Sequence, residues 1–358
     1  MPHGGLGPRR FPGALVLVAA AAWLALPGGA LAHGPIPPDG PTPASLALGW
    51  RFEPLVVVAL VAAALGWLAI VTRVGRLHPD RPVPVLRSAA FLGGLAAIAV
   101  ALLSGIERYD TTLFSVHMVQ HLLLLLVAAP LLALAAPVTQ LLRAASPTAR
   151  RRWLLPILHS TPVAALGHPV VAWVTFTLVT WVSHFSPLFD LALENEGVHQ
   201  LEHFAFLASG LMFWWPVVAA DPAPRRLGYP ARAMYVLLQM PLSSFLGMAI
   251  LFASTPLYPH YASLGAPYGS LPLADQQLAG GIMWLAGDVV FILAVLAIVA
   301  AWMRHAERDA PAADRRADAQ RVRIRELADQ LAADRISARP APPTRAAPGT
   351  DPDQRSRR

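Results

Sequence analysis

Long uninterrupted apolar runs constrain this chain of 358 residues more than any other feature. Crossing the hydrocarbon core of a bilayer takes a helix of about 20 predominantly apolar residues. Runs of that order recur along the sequence, and the composition agrees: 55% of residues are hydrophobic and 14% charged. An average soluble domain carries about 25% charged residues. The chain therefore reads as all-α, a polytopic membrane helix bundle with seven predicted transmembrane helices after an N-terminal signal peptide. The spans are expected near 54–72, 88–106, 113–136, 168–186, 198–219, 233–253 and 277–302. Composition also limits the chemistry. Without cysteine there is no disulfide, thiolate zinc site, iron–sulfur cluster or CxxC copper transfer. A metal must be held by His, Met or carboxylate ligands.

The connecting loops alternate in charge. Arg73, Arg76, Arg81 and Arg87 fill the first, Arg143, Arg150, Arg151 and Arg152 the third, and Arg225, Arg226 and Arg232 the fifth. The other loops carry Glu107 and Asp110, then Asp190, Glu194 and Glu196, then Asp275. The positive-inside rule places the arginine loops in the cytoplasm of a bacterial cell, with the mature N-terminus outside and the C-terminus inside. The basic surplus is then an orientation signal, and nucleic acid is not an expected partner. Arg9 and Arg10, the apolar Ala14–Leu26 stretch and Ala30-Leu31-Ala32 have the pattern of a secretory signal, which demands the same outside N-terminus. The expected organisation is a signal peptide over 1–32, an extracytoplasmic Pro/Gly-rich lead-in over 33–53, a seven-helix transmembrane domain over 54–303 and a charged, largely disordered cytoplasmic tail over 304–358. A short polar helix is expected from about Asp314 to Arg339 within that tail. Cleavage after Ala32 would make His33 the N-terminal residue, where amine and imidazole together can chelate copper. A chance residue after a cleavage site is the plainer reading.

Two histidine pairs stand out within the apolar runs. His117 and His121, and His199 and His203, are each spaced i, i+4, so each pair shares one helix face. Both pairs lie close to acidic loops, near the expected outer surface, as does His184 before Pro187. Ionisable residues inside membrane spans are costly and point to function by default. A lone histidine near a helix end is more often a hydrogen-bonded residue; two pairs at one depth favour ligation or transport. Neutral imidazole suits copper, zinc and haem iron. Met118 points about 100° from His117 on an ideal helix and does not join its ligand set. Glu202 and Asp190 are candidate acceptors orienting the imidazoles. Asp275-Gln276-Gln277 reads in part as a helix cap.

Several motifs carry a family resemblance. His117-Met-Val-Gln-His121 with the following apolar run and Ala129-Pro-Leu-Leu resembles the signature of the caa3-type CtaG family of cytochrome c oxidase assembly factors. So do Ser183-His-Phe-Ser-Pro-Leu-Phe-Asp190, His199-x-x-x-His203 with Phe213-Trp-Trp-Pro216, and Asp275-Gln-Gln-Leu-Ala-Gly-Gly-Ile-Met-Trp284. The likeness covers about Trp50 to Met303. One departure is Trp181-Val-Ser-His184, where the family pattern has Trp directly before the histidine. The assembly factor that shares the CtaG label, with one span and copper-binding cysteines, is excluded by the absence of cysteine. The resemblance implies a polytopic membrane protein needed for active caa3-type oxidase and involved in inserting its copper; an enzyme is not expected, because the sequence offers no nucleophile–base pair, Gly-rich phosphate loop or HExxH motif. Its partners would be oxidase subunits, other copper chaperones and the lipid bilayer. On this reading the metal ligands are His117, His121, His199 and His203, with His184 as a fifth candidate, and the metal is copper. Two alternatives come from other classes: a haem-binding membrane redox protein, and a copper transporter. The confinement of polar residues to the outer half speaks against the second.

Overall fold

In a computed structural model of the chain, residues 36–223 and 225–337 are described. The expected signal peptide, His33 and the tail beyond residue 337 lie outside them. The described residues are helical, with no strand among them. Six helices are long and apolar enough to cross a membrane: α1 (Pro54–Leu77), α2 (Val85–Tyr109), α3 (Phe114–Ala144), α6 (Glu196–Val218), α7 (Tyr229–Leu251) and, as far as Pro311, α8 (Pro272–Ser337). The fourth expected span is a bent pair instead, α4 (Pro169–His184) and α5 (Leu188–Glu194), which meet at 68°. Counted as one span, the pair raises the number to seven. The bend falls at Pro187, which has no N–H and disfavours helical backbone in the residue before it. It leaves His184 as the last residue of α4.

Helix α3 is not regular. Its first segment, Phe114–Leu122, passes into a wider π turn over Leu123–Ala128 before Pro130. A proline ring collides with the carbonyl four residues earlier, and a widened turn relieves that clash. A second break comes at Ala136, which sits in the left-handed region at φ 54° before Pro137. The segment that follows, Pro137–Ala144, is capped from another helix connection: Asp221 Oδ2 and Oδ1 accept the backbone N–H groups of Val138 and Thr139 at 3.1 and 2.6 Å.

The loops gather by charge type. At one end Tyr261 donates to the Asp110 carbonyl at 2.5 Å, His260 N–H donates to Asp190 Oδ1 at 3.0 Å, and the Ser115 hydroxyl donates to Asp275. At the other, Arg73 donates to the Ala144 carbonyl at 2.6 Å and Arg143 to the Arg81 carbonyl. The two ends match the acidic and arginine loops distinguished in the sequence.

Between the ends, packing depends on small residues, as membrane interfaces do. A Cβ on Gly280 would lie 2.5 Å from the Leu251 nitrogen and 2.8 Å from the Gly247 carbonyl, so α7 and α8 touch backbone to backbone. A Cβ on Gly210 would lie 3.0 Å from Ala129 Cβ, which sets the approach of α6 to α3. Phe176, Phe206, Phe213, Trp214 and Phe291 fill the apolar core between α3, α4, α6, α7 and α8. Leu65, Leu68, Leu285, Leu293 and Leu296 remain exposed, as side chains facing lipid do. A second unit begins at Ala300 and is described as far as Ser337. There Ile324, Leu327 and Leu331 are exposed, and of the helix expected over 314–339 the described residues, up to Ser337, fall within α8. Gly280→Val should force α7 from α8 and destabilise the fold by about 1–3 kcal/mol; a thermal unfolding midpoint in detergent equal to wild type would refute the close contact.

Candidate metal centre

The five candidate histidines come from three helices and meet at one place. His117 and His121 project from the first turns of α3, His199 and His203 from the first turns of α6, and His184 from the end of α4. Ring centroids are 4.2 Å apart for His117 and His121, 4.1 Å for His199 and His203, and 5.5 Å for His117 and His199. His121 lies 6.0 Å from His203 and 6.1 Å from His184. All five are buried. Phe206 stacks on His121 at 4.0 Å and Phe189 lies 5.1 Å from His117, so aromatic rings wall the group on its apolar sides.

Three carboxylates join them. Glu202 Oε2 is 3.8 Å from both His117 Nε2 and His121 Nε2. Asp110 Oδ2 is 3.4 Å from His199 Nε2. Glu107, Asp110 and His203 bring one donor atom each to within 4.8 Å of one another. Burial pushes the Asp110 carboxyl well above the usual carboxylate range. Glu202 is close to the imidazoles, as the sequence suggested. Asp190 is not: it holds the His260 loop. Asp110 and Glu107 went unrecognised as parts of the centre because they read as ordinary loop acids. Glu107 is in the last turn of α2 and Asp110 directly follows it, and only the packing of that helix end beside α3 and α6 brings them to the histidines.

Hydrogen bonds fix two of the rings. His184 Nδ1 is 2.7 Å from the Thr180 carbonyl, which can only accept. The proton is therefore on Nδ1, and the buried Nε2, with no hydrogen bond, keeps the lone pair that a metal needs. Gln120 settles His203 by a similar chain of logic. Its amide nitrogen donates to the Ala101 carbonyl at 3.0 Å and to Glu107 Oε2 at 2.5 Å. Its oxygen must then face His203 Nε2, 3.0 Å away, which donates. The His203 lone pair is left on Nδ1. Neither nitrogen of the buried His121 makes a hydrogen bond. Buried polar atoms left in this state are rare unless something completes them. A nitrogen and oxygen donor set of this kind fits copper or zinc. Gln120 sits inside the HxxxH motif but on the neighbouring helix face, so spacing alone gave it no role.

The remaining polar residues serve structure. Met118 and Met283 pack with Phe114, Phe189 and Leu246 in an apolar cluster. Asp275 accepts the Ser115 N–H at 3.3 Å, and Gln276 accepts the Leu257 N–H at 2.7 Å. Deeper in the bundle, Asp288 accepts from Ser244 at 2.8 Å and from Trp284 at 2.9 Å. Gln120→Leu should remove the partners of His203, Glu107 and the Ala101 carbonyl together. A loss of about 1–3 kcal/mol per orphaned group is expected, read as a lower unfolding midpoint; an unchanged midpoint would argue against the network.

Comparison with known proteins bears on this centre. The profile of the cytochrome c oxidase caa3 assembly factor family (Caa3_CtaG) matches residues 65–305, which include all five histidines. An uncharacterized protein of Mycobacterium bovis is 36% identical over 288 residues, covering 78% of this chain and 43% of the relative. An uncharacterized protein of Mycobacterium tuberculosis gives the same figures. One of Mycobacterium leprae is 34% identical over 276 residues, covering 75% and 42%. The chain thus spans less than half the length of these curated relatives. No solved structure matches.

Proposed function

Because the chain belongs to the cytochrome c oxidase caa3 assembly factor family, we propose that it is a membrane-embedded factor that holds copper at the histidine cluster and passes it to a caa3-type oxidase under assembly. One observation carries the copper part of this reading: five histidines from three helices converge at a single buried point. Copper here is cargo. His117, His121, His199, His203 and His184 would hold it, and the cluster's position near the helix ends favours release by ligand exchange to a docked oxidase subunit. Gln120 orients the His203 ring and the Thr180 carbonyl the His184 ring. The chain acts as carrier and scaffold, with no chemical transformation assigned to it.

The rival readings have less support. A haem between paired histidines needs a wide slot, and Phe206 and Phe189 occupy the space beside His121 and His117. A through-path for copper needs polar groups on both sides of the bundle, whereas Leu125, Phe176, Phe213 and Phe291 pack the region below the cluster. The seven-span topology, with the acidic end of the bundle outside and the arginine end in the cytoplasm, belongs to the same proposal.

Two experiments test it. Replacing both His117 and His121 by alanine should leave the protein in the membrane while copper content and activity of the caa3 oxidase fall to background. Normal oxidase copper in that variant would overturn the proposal. The chain has no cysteine, so single introduced cysteines report orientation directly. Glu194→Cys should react with a membrane-impermeant maleimide on intact cells and Arg151→Cys only after permeabilisation; the reverse pattern would invert the topology.

A further inference from the structure

Three groups of donor atoms in the centre are each compact enough to hold an ion. They are Asp110 with His117 and His199, His117 with His121 and Glu202, and Glu107 with Asp110 and His203. The last two groups share no residue. The first takes one member from each and adds His199, so it connects them. We propose that the centre holds two divalent cations side by side, one at Glu107, Asp110 and His203 and one at His117, His121 and Glu202, with His199 between them. This rests on the copper reading above and adds to it the number of ions, the oxygen ligands and the oxidation class.

Charge and reach both lead there. Two nitrogen ligands on one ion, each about 2.0–2.1 Å from it, are at most about 4.2 Å apart. Among the described residues no four of these donor atoms gather within 4.8 Å of one another, so an ion seated in one triad does not take in the whole of the other. Asp110 and Glu202 are buried and Glu107 is half-buried; ionised together they exceed the charge of a single divalent ion, and buried charge is costly unless paired or bound to metal. The ion-pair contacts of Asp110 and Glu202 are with histidines. Asp110 is fully buried, and its Oδ2, aimed at His199, makes no hydrogen bond. In the other triad, His121 is equally buried, with no hydrogen bond on either nitrogen. Each triad thus has its own buried, incompletely bonded donor.

The two stations also differ in access. A small cleft of about 40 Å³ is lined by Glu53, Glu107, Glu196, Gln200 and His203. Glu107 and His203 of the first station line it, whereas His117 and His121 do not and are flanked by Phe189 and Phe206. The acidic mouth would draw a cation to the first station, and His199 can reach toward either. Carboxylate and imidazole donors without sulfur suit divalent copper or zinc more than Cu(I).

The test uses the full chain purified in detergent, loaded with excess Cu(II), desalted and analysed for metal per protein. Two ions per chain are expected in the wild type. Glu202→Gln with His121→Ala should keep one, and Glu107→Gln with Asp110→Asn should also keep one. Each one-ion variant should show the EPR spectrum of an isolated Cu(II), whereas spin–spin interaction should broaden or abolish the wild-type spectrum. One copper per chain in the wild type would overturn the pair but leave the copper reading standing; no copper would overturn both. A variant that elutes like the wild type yet loses both ions would mean one shared site and would also overturn the pair. If either variant fails to fold, the wild-type stoichiometry and spectrum decide.

Discussion

A polar side chain inside a bilayer has to find its partner within the protein, and here that demand falls on five imidazoles at once. The response is convergence. The first turns of α3 and α6 and the last turn of α4 bring His117, His121, His199, His203 and His184 into one group with ring separations of about 4–6 Å. Almost every other feature of that end of the bundle serves to keep them there. Thr180 and Gln120 orient two of the rings, Phe189 and Phe206 close the apolar sides, and Glu202 faces the α3 pair.

The helices could not meet so closely without local departures from regularity. The π turn before Pro130 and the left-handed Ala136 reshape α3 below its histidines. Glycines at 210, 247 and 280 remove the side chains that would hold α6, α7 and α8 away. The break at Pro187 ends α4 at His184, and α5 places Phe189 against the cluster. Loop ties from Tyr261, His260 and Asp275 then join α3, α5 and α8 across the acidic end. In a membrane, where lipid is as apolar as leucine, such close contacts and internal hydrogen bonds do the work that hydrophobic burial does in water.

Holding an ion for transfer asks for a different balance from holding one permanently. A closed structural site satisfies every ligand and every acceptor behind it. In this centre some donors are firmly oriented and others are not. His184 and His203 have fixed tautomers, whereas His121 has no hydrogen bond to set its own. Carboxylates are harder ligands than thiolates, and their presence in place of cysteine moves the centre toward divalent ions. Its histidines stand near helix ends, and Glu107 and His203 line a small acidic cleft.

Much of this was legible in the chain itself. Run lengths specify membrane helices, because the width of the bilayer fixes how many apolar residues a span needs. The i, i+4 spacing puts each histidine pair on one face, because helix geometry is local. The same geometry points Met118 away from His117, and Met118 packs in an apolar cluster. Other features depended on contacts between residues distant in sequence. The pairing of the two motifs, the recruitment of Glu107 and Asp110 at the end of α2, and the role of Gln120 all arise from how α2, α3 and α6 pack. Asp190 shows the same limit from the other side: its motif suggested the imidazoles, and the fold gave it to His260. Sequence periodicity determines which residues share a helix face; only the crossing of helices and the course of loops decides which faces meet, because those contacts join parts of the chain that no local rule connects.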